Sequence, residues 1–287
     1  LQVGLQCAGH YSLPGLYHQL LTTLATTLAG IRGSQQCGKS GFTLQLRREL
    51  SFIDLTARMG LRADAAVFYL GYLWWVLEPL VFVGIFYLVF GILLESPRAD
   101  FLAFLIVGKL PFQWFSGSLS GSATAIIQGQ QLIAQSPVPK ALLVLSRVQQ
   151  TSYKQLAVFG LLFTYLFATG VPVATSWLWL PIVLFAQYLL ITASSLGAAI
   201  LVCVARDFTK LIQLFIIAMM FSSGVFWDPR ALSPELQHYI FLFNPIAMIL
   251  DCYRQLLLYQ QAIDIAHLAL IISTAAAANA GLLYWIR

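Results

Sequence analysis

The chain has 287 residues, of which 59% are hydrophobic and only 9% charged, whereas a soluble domain carries about 25% charged residues. Its apolar residues come in runs near the ~20 that cross a hydrocarbon core as a helix, not in the short alternating segments of a β-barrel. These runs predict an all-α polytopic membrane protein. The net charge of +5 is spread over loops without a basic stripe, which argues against a nucleic-acid partner and is typical of membrane topology.

Residues 1–41 are weakly apolar, and we expect them to form an irregular cytoplasmic extension. Within them Gly33–Ser40 fits the G-x-x-x-x-G-K-S loop that cradles phosphates in ATPases. That loop needs a strand and a helix around it, and no β-rich run precedes it here. The surrounding non-membrane residues are also too few for an ATPase core. We interpret the match as chance and expect ATP hydrolysis on a separate chain.

Residues 42–62 are predicted to form an amphipathic helix, with one apolar stripe at helical spacing. The stripe consists of Phe42, Leu46, Leu50, Ile53 and Ala57. Arg47, Ser51, Asp54 and Arg58 face the other way. Because the helix is basic and too polar to span, we expect it to lie in the membrane interface.

Six spans are predicted after this helix, within residues 68–286. Their approximate bounds are 68–94, 101–127, 155–174, 177–205, 209–227 and 265–286. With the N-terminus in the cytoplasm, twelve of the sixteen Lys and Arg residues fall on cytoplasmic segments; the other four are Arg98, Lys109, Arg230 and Arg254. The opposite orientation reverses this bias, so both termini are expected in the cytoplasm.

The connection 128–150 is a long cytoplasmic loop in this topology, and Pro137 and Pro139 precede an apolar patch from Ala141 to Leu145. Such a patch normally needs a protein partner or the membrane surface to cover it. We therefore expect a partner ATPase to contact this loop. The candidate coupling residues are Gln135, Pro137, Lys140, Leu142, Leu145 and Arg147.

The connection 228–264 lies outside and contains an apolar piece, Tyr239–Leu250, that is too short to span and is broken at Asn244-Pro245. This pattern predicts a pair of re-entrant or interfacial helices before the last span.

Two ionisable residues lie inside predicted spans, Glu78 before Pro79 and Lys109 near Pro111. Charge in lipid is costly, so each is expected to face protein or water. Glu78 either lines the transport path or makes a structural hydrogen bond near the backbone carbonyl that the proline frees. Lys109 either snorkels to the outer interface or faces the pore, where it would attract a phosphate or an acidic sugar.

Aromatic residues make up 14% of the chain, and an interfacial belt explains most of them. Trp74, Phe112 and Trp114 sit deeper or beside polar groups. These three rings are candidates for lining a sugar path, because ring faces stack on the C–H faces of pyranoses; the alternative is core packing.

The sequence gives no indication of a metal site. The four cysteines form no C-x-x-C pair and the four histidines are isolated. We expect no catalytic residue, metal or cofactor on this chain.

A series of motifs, in the same order along the chain, carries a family resemblance. The run Leu70–Pro79 resembles the opening of the first span in ABC-type polysaccharide export permeases, and Gly108–Phe115 is similar to their second span. Ile126–Lys140 resembles their first cytoplasmic loop. The later landmarks are Arg206-Asp207-Phe208, Ser223–Phe226, Asn244-Pro245 and Tyr253-Arg254.

The resemblance covers residues 42–287, with no counterpart for residues 1–41. Lys109 departs from it, since the family usually has an uncharged residue there. It implies a bacterial inner-membrane channel made by two copies of the chain, with two ATP-binding cassette subunits beneath that bind ATP and Mg²⁺. The implied substrate is a lipid-linked O-antigen, capsular polysaccharide or teichoic acid.

The expected mechanism is a half-transporter in which ATPase closure pushes the loop from Gln128 to Arg147 and the helix 42–62. The alternatives are an ABC exporter of drugs or lipids, a membrane glycosyltransferase or polymerase, and a stand-alone secondary transporter. The enzyme would need clustered loop carboxylates, and those here are widely spaced. No internal repeat supports a secondary transporter.

Overall fold

The computed structural model describes residues 39–67, 69–93, 100–135, 138–172 and 174–286, and within these ranges the chain forms helices and turns without any strand. The extension 1–38, including Gly33–Gly38 of the ATPase-like match, and Pro137 lie outside the described residues. A helix satisfies its own backbone hydrogen bonds, which is why apolar runs of this length adopt it in lipid. The all-α prediction is confirmed for the described ranges.

The first helix, α1, runs over Lys39–Val67 and includes the predicted 42–62. Asp54 and Arg58 form an exposed ion pair of 3.0 Å, with the acid one turn before the base, the favourable order on a helix. The side chains of Phe42 and Leu46 lie outside the described residues. The placement of α1 in the membrane interface remains a prediction.

Within the described ranges four helical segments are long and apolar enough to cross a membrane, and they coincide with four of the predicted spans. These segments are Gly71–Val89, Phe101–Ala123, Thr175–Val204 and Ile265–Ile286. Within them α2 is Trp74–Phe86, followed by a π-helix over Tyr87–Leu93, and α3 is Phe101–Ala123.

The other two predicted spans differ from their expected form. In place of a loop 128–150 and a span 155–174, the described chain has α4 (Ala125–Gln128), α5 (Gln130–Gln135) and a 29-residue helix, α6 (Lys140–Ala168). Helix α7 is Leu180–Val204, and α8, Phe208–Ser222, has only 15 residues. The described residues thus hold four candidate spans, or up to five with a bent pair included, and the six-span count remains a prediction.

The bent pair lies where the sequence predicts a break. Helices α9 (Pro234–Phe243) and α10 (Pro245–Arg254) are followed by a π-helix to Tyr259 and bend by 113°. Asn244 caps α10 by accepting a hydrogen bond from the Ala247 N–H at 3.1 Å. The last helix, α11, is Ile265–Ile286.

Helix α3 forms the centre of the core and packs against α6, α7 and α10. Its most apolar stretch is 78% buried, against 11% for Gly71–Val89. The second span is therefore an internal helix, whereas the first has a largely uncovered face. This arrangement leaves polar side chains on α3 to be accommodated inside the protein.

Candidate functional site

A cavity of about 300 Å³ lies among α2, α3 and α6, and we call it the lysine cavity. Its walls are Trp75, Glu78 and Phe82 from α2, Lys109, Gln113, Trp114, Ser116 and Gly117 from α3, and Thr151, Lys154, Gln155 and Val158 from α6. On each helix these residues recur at three- and four-residue spacing, so that one face of each helix forms a wall.

Lys109 is 8% exposed and lies on the central helix. Its Nζ is 3.7 Å from the ring centroid of Phe82 and 5.8 Å from that of Phe112. Met220 Sδ lies 3.8 Å from the same nitrogen. Among the described residues no carboxylate comes within 4.0 Å of it. The burial shows that Lys109 points into the protein and does not snorkel to water.

The polar walls of the lysine cavity are held in place by hydrogen bonds to other groups. Gln155 donates to the Leu110 carbonyl at 2.9 Å, and the Trp114 indole N–H donates to Ser152 Oγ at 3.3 Å. Trp114 also meets Phe159 edge to face, with ring centroids 6.1 Å apart. Gln113 differs, because its Oε1 is buried with no hydrogen-bond donor in the described part of the chain.

The second lysine of the cavity is paired. Lys154 Nζ lies 2.6 Å from Asp64 Oδ2, which also accepts a hydrogen bond from Gln150 at 2.8 Å. Arg147 then donates to Gln150 Oε1 at 3.1 Å and to Gln128 Oε1 at 3.2 Å. This chain of contacts joins the cavity wall to α4, at the start of the predicted coupling segment.

The five path candidates fall into two groups. Glu78, Lys109 and Trp114 line the lysine cavity, whereas Trp74 and Phe112 do not. Phe112 is 1% exposed within the core, and Trp74 is 41% exposed. Trp74 precedes Glu78 by one helical turn, so the two share a helix face as the spacing predicts, but Trp75 is the tryptophan of α2 that lines the cavity beside Glu78.

The wall residues that were not identified from the sequence include Trp75, Gln113, Lys154 and Gln155. Gln113 lies one helical turn after Lys109, so helical spacing alone could have found it. Lys154 and Gln155 belong to α6, and their approach to α3 is a tertiary contact with no local signal.

The coupling candidates are also divided. Gln135 and Lys140 are exposed, Arg147 and Leu145 are half-buried, and Leu142 is 5% exposed. Residues 141–144 are buried, and Ala141 and Val144 pack against α4 and α7. The expectation that a partner must cover this patch is therefore wrong for most of it, because a continuous helix folds it onto the chain itself.

A second cavity, of about 220 Å³, lies beside α9 and α10, and we call it the bent-pair pocket. Its walls are Arg230, Pro234, Gln237, His238, Phe241, Met248, Asp251, Asp264 and His267. Arg230 makes a two-point pair with Asp251, with distances of 2.9 and 2.8 Å. These hydrogen bonds raise the pKa of Arg230 above its ordinary value.

Asp264 pairs with His267 at 2.6 Å in the same pocket, and the His267 ring lies 5.9 Å from that of His238. The hydrogen bond from the His267 side chain lowers the pKa of Asp264 below its ordinary value. Within the described ranges no three His, Cys, Asp or Glu side chains are grouped to hold a metal ion.

No protein-family model matches the chain, but individual proteins are similar to it over most of its length. The O-antigen export system permease protein RfbA of Klebsiella pneumoniae is 28% identical over 219 residues, covering 76% of this chain and 83% of the relative. The polysialic acid transport protein KpsM of Escherichia coli is 26% identical over 224 residues, with the same coverage. A Myxococcus xanthus RfbA is 24% identical over 191 residues, 65% of this chain and 72% of the relative. The chain is thus homologous to proteins named as an O-antigen export permease and a polysialic acid transport protein, in line with the family resemblance of its motifs.

Proposed function

We propose that the chain is the transmembrane subunit of an ATP-driven exporter that moves lipid-linked polysaccharide, an O-antigen or a capsule, across the bacterial inner membrane. The observation that carries this proposal is the similarity to permeases named for O-antigen export and polysialic acid transport over 76% of the chain. Those relatives are transport subunits, which supports a chain that performs no covalent chemistry.

The proposed assembly contains two copies of the chain and two ABC ATPase subunits, which bind ATP and Mg²⁺. Residues 42–287 form the transmembrane domain, with six spans, α1 in the interface and both termini in the cytoplasm. The charge bias supports this orientation, because twelve of sixteen basic residues then face the cytoplasm. The short α8 and the long, partly polar α6 serve as the two spans beyond the four candidate spans.

Coupling to the ATPase passes through the exposed part of the segment 128–147 in this proposal. Gln135 and Lys140 are accessible to a partner, whereas Leu142 supports the segment from within. Movement of α4 would reach the lysine cavity through Arg147, Gln150 and the Asp64–Lys154 pair.

A deletion strain tests the proposed function. We expect loss of surface polysaccharide, accumulation of the lipid-linked polymer inside the cell, and recovery of both by the wild-type chain. The chain purified from the complemented strain is expected to bring an ABC ATPase with it. Normal surface polysaccharide with altered drug or lipid efflux would favour the other ABC exporters, and sugar transfer by the purified chain without an ATPase would indicate an enzyme.

A further inference from the structure

The lysine cavity contains a buried cation, Lys109, that has no carboxylate within 4.0 Å among the described residues. We infer that this cavity binds an anionic, hydroxyl-bearing group, a carboxylate or phosphate carried by a sugar unit or by the lipid carrier, with Lys109 as its counter-ion. The inference rests on the proposed function and adds to it the chemical class that the cavity selects.

The position of Lys109 excludes the ordinary explanations for a lysine in a span. It is the ninth residue of α3, about 12 Å along the helix from Phe101, and it is 8% exposed. A lysine that snorkels would be exposed near a helix end. A structural lysine would carry a carboxylate partner, as Lys154 does with Asp64 at 2.6 Å.

The contacts that Lys109 does make leave its charge available. The Phe82 ring at 3.7 Å and Met220 Sδ at 3.8 Å hold the ammonium group in place. Neither group carries a negative charge, and an ammonium group has three donors. An anionic oxygen entering the cavity would therefore form a charge-assisted hydrogen bond in a setting from which most water is excluded.

The other walls fit a ligand that also carries hydroxyl groups. Gln113 Oε1 is a buried acceptor with no donor among the described residues, and a ligand hydroxyl would supply one. Trp75 and Trp114 add aromatic surface to the same space. A volume of about 300 Å³ is at the lower end of the range for ligand pockets, which suits a single sugar-sized group better than an extended chain.

Glu78 keeps the binding weak. Its carboxylate lines the same cavity but lies more than 4.0 Å from Lys109 Nζ, so it forms no ion pair with the lysine and repels an anionic ligand. Transport requires a site that a substrate can enter and also leave. Removing this negative charge should therefore tighten the binding of an anionic ligand.

The test uses the full chain in phosphatidylcholine nanodiscs, titrated with three probes. These are a tetrasaccharide that contains glucuronic acid, maltotetraose as its neutral counterpart, and a polyprenyl monophosphate without sugar. We expect the wild-type chain to bind at least one anionic probe about tenfold or more tightly than maltotetraose, the size of effect that a charged hydrogen bond gives. The anionic probe that binds more tightly identifies the source, glycan or lipid carrier.

Four variants separate binding from folding. Lys109→Met keeps the length of the side chain and should abolish the preference for anionic probes, whereas Lys109→Arg should retain it. Glu78→Gln should increase the preference for anionic probes severalfold. Lys210→Met is the matched control, because Lys210 is an exposed lysine of α8 outside the cavity, and it should bind as the wild-type chain does. Melting temperatures check that every variant is folded.

Two results would overturn the inference: equal binding of anionic and neutral probes by the wild-type chain, or an unchanged preference in Lys109→Met. The proposed function is judged separately, by surface polysaccharide and by recovery of the ATPase in the complemented strain. A chain that exports polysaccharide but shows no charge preference would therefore refute the anion site alone.

Discussion

The bent-pair pocket and the lysine cavity are both lined by acidic and basic side chains, but these differ in how they are paired. In the bent-pair pocket Arg230 binds Asp251 at two points, and Asp264 binds His267. In the lysine cavity Lys154 is paired with Asp64, whereas Lys109 Nζ contacts a ring face and a sulfur atom and has no carboxylate within 4.0 Å among the described residues. Both pockets are of similar size, about 220 and 300 Å³.

This difference separates charges that stabilise the fold from a charge available to a ligand. A buried ion pair offsets the desolvation of its two members, so that breaking it is costly. A buried cation without a counter-ion already carries its desolvation cost in the folded protein. Substitution of the two kinds of residue should therefore change stability in opposite directions, and each prediction below tests that contrast.

Arg230→Met should give the largest effect. It leaves the Asp251 carboxylate, whose side chain is 3% exposed, with only Gln255 Nε2 at 3.4 Å as a side-chain donor in the described chain. We expect a loss of about 3 kcal/mol, at the low end for a broken buried pair, because the Arg230 side chain is 40% exposed. Thermal unfolding of the purified chain measures it.

The matched control is the double variant Arg230→Met with Asp251→Leu, which removes both charges and should recover most of the loss. If the single and double variants melt at the same lower temperature, the pair does not stabilise the fold by neutralising Asp251.

Lys109→Met should change stability in the opposite direction and by less. A lysine at the centre of a span costs about 2.5–3.5 kcal/mol, whereas a desolvated cation–π contact returns about 2 kcal/mol. The variant should therefore be more stable by about 1 kcal/mol, seen as a higher melting temperature. A clear drop would mean that Lys109 has a structural partner and would remove the contrast between the pockets.

Asp64→Asn tests the paired lysine of the same cavity. The Lys154 and Asp64 side chains are 28% and 37% exposed, and an ion pair of that exposure is worth about 0.5–1 kcal/mol. We expect a small decrease in melting temperature, and a weaker response of the partner ATPase to substrate if this pair joins α4 to the cavity. If the partner ATPase responds to substrate as it does with the wild-type chain, the Lys154–Asp64 pair contributes to local stability and not to coupling.

Single-helix features were largely predictable from the sequence, and contacts between helices were not. The long apolar runs and the break at Asn244-Pro245 depend on local chemistry, and the described structure contains them. The patch after Pro139 was misread because Ala141 and Val144 pack against α4, which lies just before it in the chain, and against α7, which is distant in sequence. For the same reason Glu78 and Lys109 could be identified as candidates from the sequence, but their position in one cavity with Lys154 and Gln155 could not be predicted.

Asp264→Asn should give the smallest effect, visible in the dependence of stability on pH. Asp264 accepts hydrogen bonds from the His267 side chain at 2.6 Å and from the Ala266 and His267 N–H groups at 3.1 and 3.2 Å, at the start of α11. The side-chain bond lowers the pKa of Asp264 in the folded protein. The stabilisation is therefore fully present above the unfolded pKa, near 4, and is lost as the pH falls through the lower folded value.

Asparagine can still cap the helix but cannot titrate. We expect the wild-type chain to be slightly more stable than Asp264→Asn at pH 6, by less than about 1 kcal/mol, and the gap to shrink as the pH falls below the unfolded pKa. The His267–Asp264 pair is half exposed, so high salt should shrink the difference as well. A gap that persists unchanged at pH 3 would show that the charge of Asp264 does not contribute, and that the bent-pair pocket depends on the Arg230–Asp251 pair for its electrostatic stabilisation.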